Sequence, residues 1–218
     1  MLRRRPFRER VHGVAALDHE LTARTYDLLG DHDELTRDDV AGALDVARSV
    51  AAFHLDKLVD AGLAVVRFAR VSGRSGPGAG RTSKLYARSG EEIDVSLPDR
   101  RYDLAGSILA AAVARGGDAR TAVRDEARAT GRRIGSGTTG KRRSALLRVL
   151  EQQGYEPRVE RGEIVLVNCP FHALADEHRE LVCGMNLDLL QGLAEGMGRD
   201  DLDVRLDPQP GRCCVRLG

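Results

Sequence analysis

Residues 46–63 read VARSVAAFHLDKLVDAGL, and the periodicity of this stretch decides the fold of the N-terminal half. Val50, Leu55, Leu58 and Val59 recur at helical spacing, which predicts a helix from Arg48 to Asp60 with those side chains inward. Arg48, Ser49, Ala52 and Lys57 then share the outward face. Phe53 and His54 fall between the two faces, with one of them turned outward. The helix stops at Ala61-Gly62, because glycine takes the left-handed backbone of a helix end freely. Such a helix has an apolar face to dock on its own domain. Its other face carries short polar and cationic side chains, the kind that reach base edges and phosphates of duplex DNA.

Upstream, a helix is predicted over Asp18–Leu29 with Asp18 as its N-cap. Thr36 reads as the N-cap of a second helix, with Asp39 at the capping-box position ahead of Val40–Leu44, and Asp45–Ala47 is a turn. Residues 1–15 read as a basic tail. Downstream, residues 63–71 and 83–88 are β-rich and predict a hairpin whose tip, SGRSGPGAGRT, is long and glycine-rich. Glycines there let backbone approach a phosphate or the minor groove without Cβ clashes. Helix, helix, turn, helix, hairpin is the element order of a winged helix-turn-helix domain, placed here at residues 16–97. Ala47–Arg88 holds eight Lys and Arg against two Asp and Glu. The expected contacts to double-stranded DNA are Arg48, Ser49, Ala52, Phe53, His54 and Lys57 from the helix, and Arg70, Arg74, Arg81 and Lys84 from the hairpin.

Pro98 marks a boundary. Three helices are predicted beyond it, at Tyr102–Arg115, Ala119–Ile134 and Lys141–Gln153, forming a helical linker or dimerisation region over residues 98–153. Residues 154–218 then read as a small α+β domain with two hairpin-like strand pairs around a helix. One pair covers residues 156–160 and 164–167, the helix Glu180–Gly196, and the second pair residues 203–206 and 213–217. The fold class is therefore α+β. From Glu151 onward the balance reverses, with seven Lys and Arg against thirteen Asp and Glu, so the two halves suit different partners.

All four cysteines lie in the last 50 residues. Cys169 follows a predicted strand, Cys183 lies early in the long helix, and Cys213 opens the final strand, so the three converge at one end of the small domain. The intervals between them are 13 and 29 residues, unlike a zinc-ribbon knuckle. On a strand, Cys213 and Cys214 face opposite ways, which assigns Cys213 to the site. His178 is the expected fourth ligand. Cys214, His172 and an exogenous group are the alternatives. Soft thiolates with one imidazole suit an iron–sulfur cluster, with Zn²⁺ as the alternative cofactor. Buried cysteines also serve as plain packing, and the same thiols would serve a thiol- or small-molecule-sensing module.

Other classes are excluded. The longest apolar run, Ala105–Ala114, is half the length of a bilayer span, and the basic N-terminus lacks the apolar core of a secretory signal. The expectation is a cytoplasmic protein with no membrane partner. Gly135–Lys141 imitates a phosphate loop, but Arg142 stands where a magnesium-binding hydroxyl belongs, so no nucleotide is expected. No catalytic triad or His-Glu-x-x-His pattern is present, so no enzyme is expected. With aromatic residues at 4% and no Trp, a base-stacking platform for single strands is poorly supplied.

Residues 35–44 (LTRDDVAGAL) and 46–63 resemble the winged-helix repressors of the ArsR type, most specifically in the ending His-Leu-x-x-Leu-x-x-Ala-Gly-Leu. That resemblance covers about a third of the chain and implies a homodimer on a near-palindromic operator. The segments 168–183 (NCPFHALADEHRELVC) and 211–217 (GRCCVRL) are similar to the C-terminal region of SufR-type regulators. The resemblance implies a cysteine-containing sensor domain that holds an iron–sulfur cluster and couples its state to repression of cluster-assembly genes. The chain departs from that pattern at Val182, an extra residue before Cys183, at Gly184-Met185-Asn186 in place of a more acidic stretch, and at the added thiol of Cys214.

Overall fold

Thr36 caps a helix as its side chain dictates. Its hydroxyl accepts from the Asp39 backbone N–H at 3.2 Å, and the Asp39 carboxylate accepts from the Thr36 N–H at 2.8 Å. The computed structural model, which describes residues 4–69 and 82–218, builds the N-terminal unit around this cap. The chain forms two units, residues 1–95 and 96–218. The division falls within three residues of the expected boundary at Pro98.

In the first unit α1 spans Phe7–Ala15, followed by a 3-10 turn at Ala16–Asp18, α2 (Glu20–Gly30), α3 (Arg37–Leu44) and α4 (Arg48–Asp60). Strands β1 (Ala64–Ala69) and β2 (Ser83–Arg88) pair antiparallel, with Val66 opposite Tyr86. A bridge between Leu35 and Tyr86 ties the loop before α3 to β2. Asp45 turns the chain between α3 and α4 in the left-handed conformation (φ 52°), and Gly62 does the same after α4 (φ 70°). Leu29, Val40, Ala51, Leu55, Leu58 and Tyr86 form the core that these turns close.

Three expectations are corrected here. Residues 7–15 are not a tail: they are α1, and Arg10 within it is only 3% exposed. Its guanidinium donates to the carbonyls of Asp94 (2.7 Å) and Arg5 (3.2 Å), and the first of these partners lies far along the chain. Asp18 belongs to the 3-10 turn, and α2 starts at Glu20 with no side-chain cap. Val50 is exposed, and Ala51 takes the inward place instead.

The second unit contains α5 (Tyr102–Arg115), α6 (Ala119–Ser136), α7 (Arg143–Gln152), β3 (Pro157–Glu160), β4 (Glu163–Leu166), α8 (His172–Glu177), α9 (Arg179–Gly196), β5 (Val204–Leu206) and β6 (Val215–Leu217). The two strand pairs are joined edge to edge by β4 and β6 into one antiparallel sheet of order β3-β4-β6-β5, rather than standing as separate hairpins. The expected division at 153/154 falls inside this unit, because α7 packs through Leu146, Val149 and Leu150 into the same core as Ile164, Leu166, Val215 and Leu217. A second core joins α5, α6, α8 and α9 through Ile108, Val123, Phe171, Met185 and Leu189. The long helix α9 thus lies between the two cores.

Helices α6 and α9 run side by side in the same direction, backbone against backbone. Gly131 and Gly135 face α9, and Gly192 and Gly196 face α6. A Cβ on Gly131 would stand 2.0 Å from the Leu189 carbonyl oxygen, and one on Gly192 would stand 2.1 Å from that of Arg128. Ion pairs flank the seam: Arg124 with Asp188 at 2.7 Å, and Arg128 and Arg132 with Glu195. The glycines of the phosphate-loop imitation are therefore partly accounted for, since Gly135 belongs to α6 and is pressed on α9.

Candidate functional site

Two places collect the residues singled out in the sequence. The first is α4. Arg48, Ser49 and Phe53 are exposed and Ala52 and Lys57 half-buried, so five of the six helix positions lie on the open side. Phe53 is 64% exposed. His54 is not among them. It is buried, with Nδ1 2.9 Å from the Thr22 hydroxyl and its ring 4.8 Å from that of His19. Burial, and then the charges of His19 and Lys57, hold its pKa below 6.5. It is a packing residue between α2 and α4 and does not reach a ligand on the open face. Arg48 pairs with Asp38 at 2.8 Å, both exposed.

Behind this face a polar knot fixes α4 to α3 and β2. The buried Tyr86 hydroxyl donates to Asp56 at 2.9 Å and accepts from Arg37 Nε at 2.9 Å, and Arg37 Nη2 lies 3.1 Å from the Asp56 carboxylate. Lys84, an expected phosphate contact, reaches Asp56 at 3.5 Å. Arg70, Arg74 and Arg81 lie outside the described residues.

The second place is a cavity of about 860 Å³ in the C-terminal unit, lined by all four cysteines. Cys169 stands just past β4. Its neighbour Asn168 anchors the turn, donating to the carbonyls of Gly154 (2.6 Å) and Asp99 (2.9 Å) and accepting from Arg100 (2.5 Å). Cys183 comes from the second turn of α9. Cys213 continues the pairing of β6 with β4, its N–H donating to Leu166 at 2.9 Å.

Cys214 was expected to face away. The strand begins only at Val215, and the bends at residues 212 and 214 break the alternation that an extended strand imposes, so Cys214 joins the cavity. The four thiols share one cavity and shift one another's pKa. Donation from Cys183 and then Cys213 lowers the pKa of Cys214 to about 4. Donation from Cys213 lowers that of Cys169, and the two donors are pushed up.

The remaining expected ligand is misplaced. His178 stands at the N-cap position of α9 without a side-chain capping bond and lines a different cavity of about 770 Å³, beside Leu109, Val113 and Val123. His172 does line the cysteine cavity, 3.4 Å from Asp176. Among the described residues no three His, Cys, Asp or Glu side chains converge on one point as a single ion requires.

Sequence reasoning overlooked two participants. Asn186 donates to Cys213 Sγ at 3.2 Å and accepts from the buried Tyr155 hydroxyl. Its place three residues after Cys183, on the same helix face, was the available signal. Arg100 donates to the Cys169 carbonyl at 2.9 Å, and only the tertiary fold brings it there.

No family model, curated protein or solved structure matches this chain. Among the described residues no helix is long and apolar enough to cross a membrane. The functional reading therefore rests on the two sites themselves.

Proposed function

We propose that the chain is a DNA-binding transcriptional repressor, acting as a homodimer, whose C-terminal unit holds a cysteine-ligated iron–sulfur cluster and couples its state to operator binding. The N-terminal unit is read as a winged helix-turn-helix, with α3 and α4 as the two helices of the motif and β1–β2 as the wing. The open face of α4 supports this, since it offers Arg48, Ser49, Ala52, Phe53 and Lys57 to a major groove while Tyr86 and Asp56 hold the helix from behind.

The observation that carries the sensor half is the gathering of four thiols from three separate segments around one cavity. The donor set fits the group. Thiolates are the ligands such clusters take, Arg100, Arg179 and Arg212 line the same cavity to offset anionic charge, and Asn186 supplies an N–H to a ligand sulfur. Cys169, Cys183 and Cys213 would hold the cluster. When bound, it supplies a centre whose presence and charge follow iron supply and redox state. The chain's own part is mechanical. Fixing Cys183 to Cys169 and Cys213 fixes the start of α9 against the sheet, and α9 is shared by both cores of its unit. A ligand that prefers one arrangement shifts the population toward it.

The test is duplex-DNA binding by anaerobically purified protein, with sites selected from a random library and affinities read by fluorescence anisotropy over a salt series. Arg48→Ala should weaken binding and reduce the salt slope by about one. Cluster-loaded and cluster-free protein should differ by about fivefold or more. Absence of duplex binding at low salt in both forms would overturn the DNA half. Stoichiometric zinc in a colourless protein would replace the cluster by a zinc site.

A further inference from the structure

The open face of α4 is more apolar than its periodicity suggests, and that narrows what it can read. We infer that Phe53 is the base-reading residue of α4 and that it takes the 5-methyl group of a thymine, with Val50 beside it. This rests on the DNA-binding reading above and adds the residue that sets specificity and the base it selects.

Periodicity turns Val50 inward and leaves Phe53 undecided, whereas the fold exposes both. They lie three residues apart on α4, so they adjoin on one helix surface. Both belong to its first two turns, the part of a recognition helix that meets base edges in the major groove. Phe53 is also held in place. Its ring stands edge-on to that of His54, with centroids 5.1 Å apart and planes at 86°. His54 is buried, with Nδ1 2.9 Å from the Thr22 hydroxyl. An apolar ring fixed in this way gives up little freedom when it packs against a ligand.

The occupant follows from the chemistry of the groove. Thymine alone among the bases carries a methyl group there, while the remaining base edges offer donors and acceptors that Phe and Val cannot satisfy. The surroundings favour nucleic acid over a protein partner. The apolar strip on α4 is narrow, and Ser49, Asp56 and Lys57 stand three or four residues from Phe53 around it. The charge of Asp56 is met by Arg37 at 3.1 Å and by Lys84 at 3.5 Å. Ala47–Arg88 carries eight Lys and Arg against two Asp and Glu, a balance complementary to a phosphate backbone.

The experiment replaces each thymine of a selected duplex site, in turn, by deoxyuridine, which pairs as thymine does and lacks only the methyl. Affinities for the full chain are read by fluorescence anisotropy at fixed low salt, for wild type, Phe53→Ala and Phe68→Ala. In wild type, at least one thymine in each half-site should bind about fourfold more weakly without its methyl, the worth of one buried methyl-sized group. Phe53→Ala should bind the thymine site more weakly and show no thymine–uracil difference at those positions. Phe68→Ala removes a similarly exposed ring from β1 and should keep the difference. Sedimentation should find Phe53→Ala in the same oligomeric state as wild type.

Duplex binding that ignores every methyl, or a difference that survives in Phe53→Ala, would overturn this inference and leave the DNA-binding reading standing. Dissociation of the homodimer in Phe53→Ala would make the face a protein contact and overturn it likewise. Absence of duplex binding by wild type, loaded or cluster-free, would overturn both.

Discussion

Alanine at Gly131 should destabilise the C-terminal unit, although alanine is the better helix former. The new Cβ would lie 2.0 Å from the Leu189 carbonyl oxygen and 2.7 Å from the Leu193 nitrogen, against an ordinary contact of at least 3.4 Å. Both obstacles are backbone, so no side-chain rotation relieves them. Helix α9 must retreat by more than an ångström, and the reciprocal contacts of Gly192 and Gly196 on the Arg128 and Arg132 carbonyls open with it. Overpacking of this kind costs about 1–3 kcal/mol and occasionally more. Relief of the glycine penalty inside a helix returns only about 1 kcal/mol. A net loss of about 2 kcal/mol is expected at this all-backbone contact, near the upper end of that balance. For a unit of this size that lowers Tm by about 8 °C. Gly106→Ala on α5 is the control, because a Cβ there meets nothing within 4 Å and should raise Tm slightly. Calorimetry of both variants in the full chain tests the argument. If Gly131→Ala melts at or above wild type, as Gly106→Ala should, the close α6–α9 seam is not the source of stability inferred here. The retreat should also displace Cys183 and Asn186, which ride on α9, so reconstituted Gly131→Ala should hold less iron.

Two further outcomes are expected in the N-terminal unit. Tyr86→Phe leaves Arg37 and Asp56 without the shared hydroxyl that each meets at 2.9 Å. Because both partners remain partly hydrated, the loss should be near the low end for charged hydrogen bonds, about 1.5 kcal/mol in urea unfolding with m unchanged. His54 gives a pH signature. Its folded pKa lies below 6.5, so as pH falls the unfolded chain takes up a proton that the folded unit refuses. Its contribution to stability is fully present above pH 6.5 and is lost as pH falls below it, ahead of the carboxylates. Thermal melts between pH 7.5 and about 5 should show this decline in wild type and a flatter profile in His54→Asn. Equal slopes would remove His54 as its cause.

Much of the secondary structure is local chemistry, and the sequence by itself determined it. The helix Arg48–Asp60, the strand Ser83–Arg88 and the helix Tyr102–Arg115 run between the residues that periodicity and end signals indicate. The Thr36–Asp39 cap forms as its spacing predicts, and Arg161-Gly162 turns between β3 and β4, both with positive φ. These features depend on neighbours within a turn of the chain, so a short window carries the information. The clustering of the cysteines in the last third belongs here too, because their types and positions limit the chemistry before any fold is known.

The tertiary structure decided what depends on distant partners. Helix α1 exists with a buried arginine because the Asp94 carbonyl comes to meet it. Phe53 and His54 are adjacent on one helix, and the approach of Thr22 from α2, not any property of the segment, selects which is buried. Glycines 131 and 135 read as helix weaknesses until glycines 192 and 196 stand opposite them. Cys214 enters the site because a bend precedes the strand, and His178 lines a different cavity. In each case the deciding energy is a contact between segments far apart in the chain. Local propensity sets where a helix or strand forms, and only the packed fold sets which side chains meet.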